Sequence, residues 1–108
     1  MEKIIKKLLI IGCGKLGQRI GMNLSELPLE IVGIKRNLPK NHSEFKIIAL
    51  DIFSDKFAAN IDIINPDFVI YCVSSDSQTQ ESYQKNYVEG LKITIKALSK
   101  LDIFQHLF

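Results

Sequence analysis

Three glycines give the first chemical indication in this chain. Gly12-x-Gly14-x-x-Gly17 follows the apolar run Leu8-Leu9-Ile10-Ile11 and leads into a stretch with helical spacing. Each glycine has a use at that spacing. Gly12 permits a tight turn, Gly14 lets a pyrophosphate approach the backbone, and Gly17 lets the helix press against the strand. A helix that starts here aims unpaired N–H groups and the positive end of its dipole at an anion. The chemistry implied is dinucleotide binding, with the pyrophosphate cradled by Gly12, Cys13, Gly14, Lys15, Leu16 and Gly17. A Gly-rich structural turn is the plain alternative. A P-loop is excluded, because Gln18-Arg19 stands where that loop requires Lys and Ser or Thr.

The end of the second apolar run selects the dinucleotide. An acidic residue there grips the adenine ribose hydroxyls of NAD. This chain has Lys35-Arg36-Asn37 and no carboxylate. A carboxylate repels a ribose phosphate, whereas a guanidinium pairs with one through two hydrogen bonds. NADP(H) is therefore expected over NAD, with Arg36 as main ligand and Lys35 and Asn37 as helpers. An ordinary solvated basic loop is the competing reading. Asp51, with the Ile52 backbone beside it, stands where a carboxylate can accept a hydrogen bond from the adenine amino group. A capping aspartate is the equally simple alternative. Val73, Ser74 and Ser75 end the fourth apolar run, near the expected ribose and nicotinamide, although serines there also suit a turn.

Other reactive side chains carry less. Cys13 lies between two of the glycines, near a helix start that can lower a thiol pKa. It has no histidine partner in sequence and reads as a packing residue. His42 and His106 lack metal-ligand spacing, so no metal site is expected. No catalytic residue is assigned.

Strands and helices must alternate to position these groups. Leu8–Ile11, Leu29–Lys35, Phe45–Leu50 and Phe68–Val73 read as strands, the apolar ones buried on both faces as in a parallel sheet. A first helix is expected over about 15–27, with Leu16, Ile20, Leu24 and Leu27 on one face and Pro28 ending it. Gly21 falls on the side that meets the sheet. The polar stretch 36–43 is too short for a full helix. Ser54 is a candidate N-cap for a short helix through Phe57, Ala58 and Ile61. A long helix is expected over about 80–101, with Tyr87, Leu91, Ile95 and Leu98 in one stripe and Lys85, Lys92, Lys96 and Lys100 mostly elsewhere. Right-handed crossovers then give an α/β, three-layer, Rossmann-like fold. Its parallel sheet has strand order 3-2-1-4, with a fifth strand only begun at Phe104–Phe108. The crevice lies at the carboxyl ends of strands one and four, with Gly12–Gly17 facing Val73–Ser75.

Bulk properties narrow the setting. The 108 residues suit a single domain, and 46% hydrophobic content suffices for a core. A net charge of +2 with interspersed signs gives no reason to invoke nucleic acid or a membrane surface. No apolar run reaches spanning length, and no cleavage site follows the N-terminal lysines. The two cysteines read as free thiols of a cytoplasmic protein.

A family resemblance rests on linked motifs. The run Ile64-Asn65-Pro66-Asp67-Phe68-Val69-Ile70-Tyr71-Cys72-Val73-Ser74, then Tyr83, then Asn86-Tyr87-Val88-Glu89-Gly90-Leu91, resembles the short-chain dehydrogenase/reductase superfamily. The likeness is to its extended and atypical branch, the NAD-dependent epimerase/dehydratase-like proteins. There a Pro-Asp pair introduces the fourth strand, and a Val-x-Gly pair, here Val88 and Gly90, marks the next helix. Gly12, Gly14 and Gly17 fit, as does Asp51 as the adenine-contacting aspartate, and Arg36 matches the position used by NADP-preferring members. The resemblance implies hydride transfer at a carbon bearing oxygen, with a nucleotide-sugar-like substrate. It also implies a catalytic Tyr and a Lys four residues later, on a helix after the fifth strand. Tyr71 is followed at that offset by Ser75 and Tyr83 by Tyr87. The chain therefore reads as the N-terminal, dinucleotide-binding part of a longer architecture, not catalytic by itself.

Two other readings compete. A small nucleotide-sensing module, similar to the ligand-gated domains of potassium transport systems, also carries the fingerprint. Such modules usually place an acid where Lys35-Arg36 stands and do not need the 83–90 pattern. A remnant that binds nothing is the third. With strand five only begun, the edge of strand four would be open and apolar, an association hazard. A homo-oligomer is expected, through that edge or through the 80–101 helix.

Overall fold

The computed structural model describes residues 5–37, 45–73, 81 and 84–99. Within them lie strand β1 (Lys6–Ile11), helix α1 (Lys15–Leu24), β2 (Leu29–Lys35), β3 (Lys46–Ala49), helix α2 (Phe57–Ile64) and β4 (Phe68–Tyr71). A π-helical turn, Gln84–Glu89, then runs into helix α3, Gly90–Leu98. All strand pairs are parallel, in the order β3-β2-β1-β4. The expected topology is the one observed.

Strand periodicity sorts the core into two clusters. Successive side chains of a strand point to opposite faces. Leu9 and Ile11 of β1, with Val32 and Ile34 of β2, pack on one side with Ile52, Phe57, Ile61, Ala97 and Leu98. Leu8, Ile10 and Ile31 pack on the other with Cys13, Phe45 and the α1 residues Ile20 and Leu24. The continuous apolar runs of β1 and β2 thus mark the two central strands, covered on both faces.

Register comes from the turn before β4. Asn65 takes a left-handed conformation at the end of α2 (φ 48°), and its N–H donates to Ile61 O at 2.9 Å. Buried Pro66 follows, and then Asp67 grips β1 twice. Its Oδ2 accepts from the Lys7 N–H and its own N–H donates to Lys7 O, each at 2.8 Å. Lys7 Nζ donates to Ile64 O at 2.9 Å. The Pro-Asp pair is therefore a clamp that starts β4 with Leu8 opposite Phe68.

Three expectations about faces need correction. Helix α1 ends at Leu24, and Leu16 and Leu27 are 63% and 50% exposed. Its buried positions are Gly17 and Gly21, because the Phe45 ring lies directly against Gly21 and leaves no room for a larger side chain. Strand β4 ends at Tyr71 and pairs with β1 alone among the described residues, and Phe68 is 53% exposed. The helix expected over 80–101 is broken in phase by the π turn, which fits an extra residue into the coil. Tyr87 and Leu91 rotate outward, and Gly90, Thr94, Ala97 and Leu98 form the buried face. Ser54 precedes α2 rather than capping it. Its Oγ accepts from the Lys56 N–H at 3.1 Å, a turn one residue ahead of Phe57. The stretch 38–44 and the expected fifth-strand start at 104–108 lie outside the described residues.

Candidate functional site

The glycine turn is built on the carboxyl end of β1. The N–H groups of Gly12 and Cys13 both donate to Ile34 O, at 2.9 and 2.8 Å, which ties the turn to β2. Gly12 has φ +82°, and a methyl group added to it would lie 2.6 Å from the Val73 N and Cα. Glycine is required there twice over, by conformation and by contact. Gly14 caps α1 with φ −80°, and its N–H turns back to Gly12 O at 2.8 Å. A methyl group added at Gly14 would meet nothing within 4 Å. Gly14 is therefore not spared a side chain by the protein's own packing. The open space above it is where a phosphate can reach the backbone.

The start of α1 favours an anion there. A helix leaves the N–H groups of its first turn without intrahelical acceptors. Here they belong to Lys15, Leu16 and Gly17, and no acidic side chain occupies that turn. Gln18 Nε2 donates to Cys13 O at 3.2 Å and fixes the turn's outward carbonyl.

A cleft of about 190 Å³ lies over the carboxyl ends of the strands. Of the residues singled out from the sequence, Gly12, Gly14 and Val73 line its glycine side. Lys35, Arg36 and Asn37 line the end of β2, and Asp51 and Ile52 the end of β3. Lys15, Leu16 and Gly17 lie beside it at the helix start and do not line it. Cys13 points away. Its side chain is fully buried, and its Sγ would be 2.8 Å from a methyl group on Gly33. Burial, with Cys72 nearby, pushes the Cys13 thiol up to about 11 despite the opposing effect of Lys35. It is a protonated packing group at neutral pH. Ser74 and Ser75 lie outside the described residues, as do Tyr83, His42 and His106.

Asp51 closes a local turn and does not cap α2, whose N-cap is Lys56. Its Oδ1 accepts from the Phe53 N–H at 2.9 Å, and its carbonyl accepts from the Ser54 N–H at 2.9 Å. This turn holds the carboxylate at the rim of the cleft.

Sequence reasoning missed four lining residues: Ile34, Leu50, Phe53 and Lys85. Ile34 and Leu50 are strand-end residues whose alternation puts them in the core. Phe53 carried a weak signal, two residues beyond Asp51 in an apolar step. Lys85 carried none, because its placement depends on the π turn. Its Nζ lies 4.9 Å from the Phe53 ring centroid, a cation–π contact across the mouth of the cleft. Gly90 fixes this geometry from below. A methyl group there would strike the Tyr71 hydroxyl and lie 2.7 Å from Ile52 Cδ1, so the glycine lets α3 close on Ile52. Burial pushes the Tyr71 phenol up to about 12. Among the described residues no group of three or more His, Cys, Asp or Glu is arranged to hold a metal, and no helix is long and apolar enough to cross a membrane.

No protein-family model and no curated protein matches the sequence. Solved structures do match in fold. The UDP-Glc/GlcNAc 4-epimerase of Campylobacter jejuni superposes with a TM-score of 0.76 at 17% identity, covering 91% of this chain and 35% of its own. WbmH of Bordetella bronchiseptica, solved in complex with NAD+, gives 0.71 at 23% identity, over 89% of this chain and 36% of its own. A protein from Methylobacillus flagellatus assigned to the NAD-dependent epimerases/dehydratases gives 0.69 at 29% identity, over 88% of this chain and 33% of its own. The chain thus has the fold of part of NAD-dependent epimerase/dehydratase and short-chain dehydrogenase structures, and spans between a third and a half of these proteins' length.

Proposed function

We propose that this chain is the dinucleotide-binding part of an epimerase/dehydratase-like oxidoreductase, and that its cofactor is NADP(H) in preference to NAD. The observation that carries the reading is the open space over Gly14 at a helix start, continuous with a cleft that ends in Lys35 and Arg36. The residues present fit such a cofactor. The first turn of α1 suits a pyrophosphate, the Asp51–Ile52 rim suits an adenine, and the end of β2 offers cations without a carboxylate to a ribose phosphate. NAD is the dinucleotide held by the Bordetella relative. The preference for NADP rests on Lys35-Arg36-Asn37 alone. When bound, the cofactor supplies a hydride acceptor or donor.

In this reading the chain's own residues bind and orient, and reduction or oxidation of a nucleotide-sugar-like substrate is the activity of the wider architecture. No Tyr-x-x-x-Lys occurs in the sequence. Cys13 and Cys72, both free thiols, suit a cytoplasmic setting. The exposed Phe68 edge, or the outward side of the π turn and α3 with Tyr87 and Leu91, is proposed as the contact of a homo-oligomer.

Thermal shift with NADP+, NAD+ and ATP tests the assignment. A ligand at a hundredfold its Kd adds about 2.7 kcal/mol to stability. NADP+ should raise the melting temperature most, and Arg36→Ala should remove its advantage over NAD+ while leaving NAD+ binding intact. Stabilisation by ATP alone would favour a nucleotide-sensing module. Tighter binding of NAD+ than NADP+ would refute the cofactor preference.

A further inference from the structure

We propose that Lys85 is a phosphate ligand of this cleft, parked on the Phe53 ring until an anion arrives. The assignment rests on the dinucleotide reading above and deepens it.

Lys85 belongs to the π turn that precedes α3, on the layer that also carries α2, whereas Lys35 and Arg36 end a strand of the sheet. The cleft therefore receives cations from two layers. Asp51 is the one carboxylate among its described lining residues, and its Oδ1 accepts from the Phe53 N–H. The cleft is thus cationic at its mouth, where electrostatics select an anion.

The position of Lys85 depends on irregular backbone. In an unbroken α-helix a residue at this point would share the phase of the exposed lysines further along. The π turn resets that phase, and such turns concentrate at functional sites. A 4.9 Å contact with the Phe53 ring then holds the ammonium over the cleft. An exposed cation–π contact is weak, whereas a hydrogen bond to a phosphate oxygen is charge-assisted and strong. The flexible four-carbon stem lets the ammonium exchange one for the other. Both the 2′-phosphate and the pyrophosphate of a dinucleotide offer this chemistry.

Calorimetric titration of the full chain with NADP+, NAD+, 2′,5′-ADP and 5′-AMP, at two salt concentrations, tests the assignment. Lys85→Met keeps the stem and Lys85→Arg keeps the charge. Lys85→Met should weaken NADP+ roughly tenfold, the scale of one charge-assisted hydrogen bond, and flatten the salt dependence. Lys85→Arg should bind close to wild type. A loss shared by NADP+, NAD+ and 5′-AMP assigns Lys85 to the 5′-phosphate side. A loss confined to NADP+ and 2′,5′-ADP assigns it to the 2′-phosphate. Wild-type affinity and salt dependence in Lys85→Met, while Gly14→Ala loses binding, would overturn the Lys85 assignment and spare the dinucleotide reading. A Lys85→Arg variant as weak as Lys85→Met would overturn it too. No binding of any of the four to wild type would overturn both.

Discussion

Gly12 and Gly14 are two residues apart and predict opposite phenotypes. Gly12 has positive φ and no room beside Val73, so Gly12→Ala should destabilise the fold by roughly 1–3 kcal/mol. Gly14 is open, so Gly14→Ala should leave stability within about 0.5 kcal/mol of wild type. Its added methyl group should cost at least about tenfold in dinucleotide affinity, because in the proposed complex it stands where a phosphate approaches. Urea denaturation beside ligand titration separates the two effects. Cys13 gives a third residue-scale prediction. Its thiol is raised from 9.0 to about 11 in the folded protein. The folded state therefore holds this proton more tightly than the unfolded chain, and the associated stability is complete below pH 9 and lost as pH rises toward 11. The urea midpoint should fall over that window, and Cys13→Ala should flatten the fall.

At the scale of elements, the short helix α2 anchors one face of the sheet through Phe57 and Ile61, both essentially without solvent contact. Ile61→Ala should cost about 2–5 kcal/mol, read as a lower urea midpoint with unchanged slope. The central strands were legible in the sequence because Leu8–Ile11 and Ile31–Ile34 are continuous apolar runs, and burial on both faces requires that. The Gly12–Gly17 turn was legible because two of its glycines meet local needs at fixed spacing, the positive φ of Gly12 and the close approach at Gly17. Helix faces were less so. The stripe of Leu16 and Leu27 points outward because glycines, which leave no mark in a hydrophobicity pattern, form the contact face of α1. The Tyr87 stripe failed at the π turn, which shifts phase without any local composition signal. The same turn hid Lys85. Phe53 and Leu50 were missed because apolar cleft walls look like core.

At the scale of the whole molecule, strand order β3-β2-β1-β4 puts β1 between the two strands whose ends flank the cleft, so glycine turn, basic end and acidic rim converge by topology. The order followed from alternating elements, crossover handedness and the glycine fingerprint on the first crossover. The proposed self-association belongs to this scale. Light scattering at high protein concentration should give a dimer or larger, and Phe68→Lys should lower the mass if the β4 edge is the contact. A monomer throughout would refute it. The central claim, a dinucleotide held over Gly14, is tested most directly by calorimetric titration of NADP+ into wild type and Gly14→Ala at matched stability. Wild type should bind saturably and one-to-one, and the added methyl group should weaken binding at least about tenfold. Absence of binding to folded wild type, or equal affinity in both proteins, would contradict it.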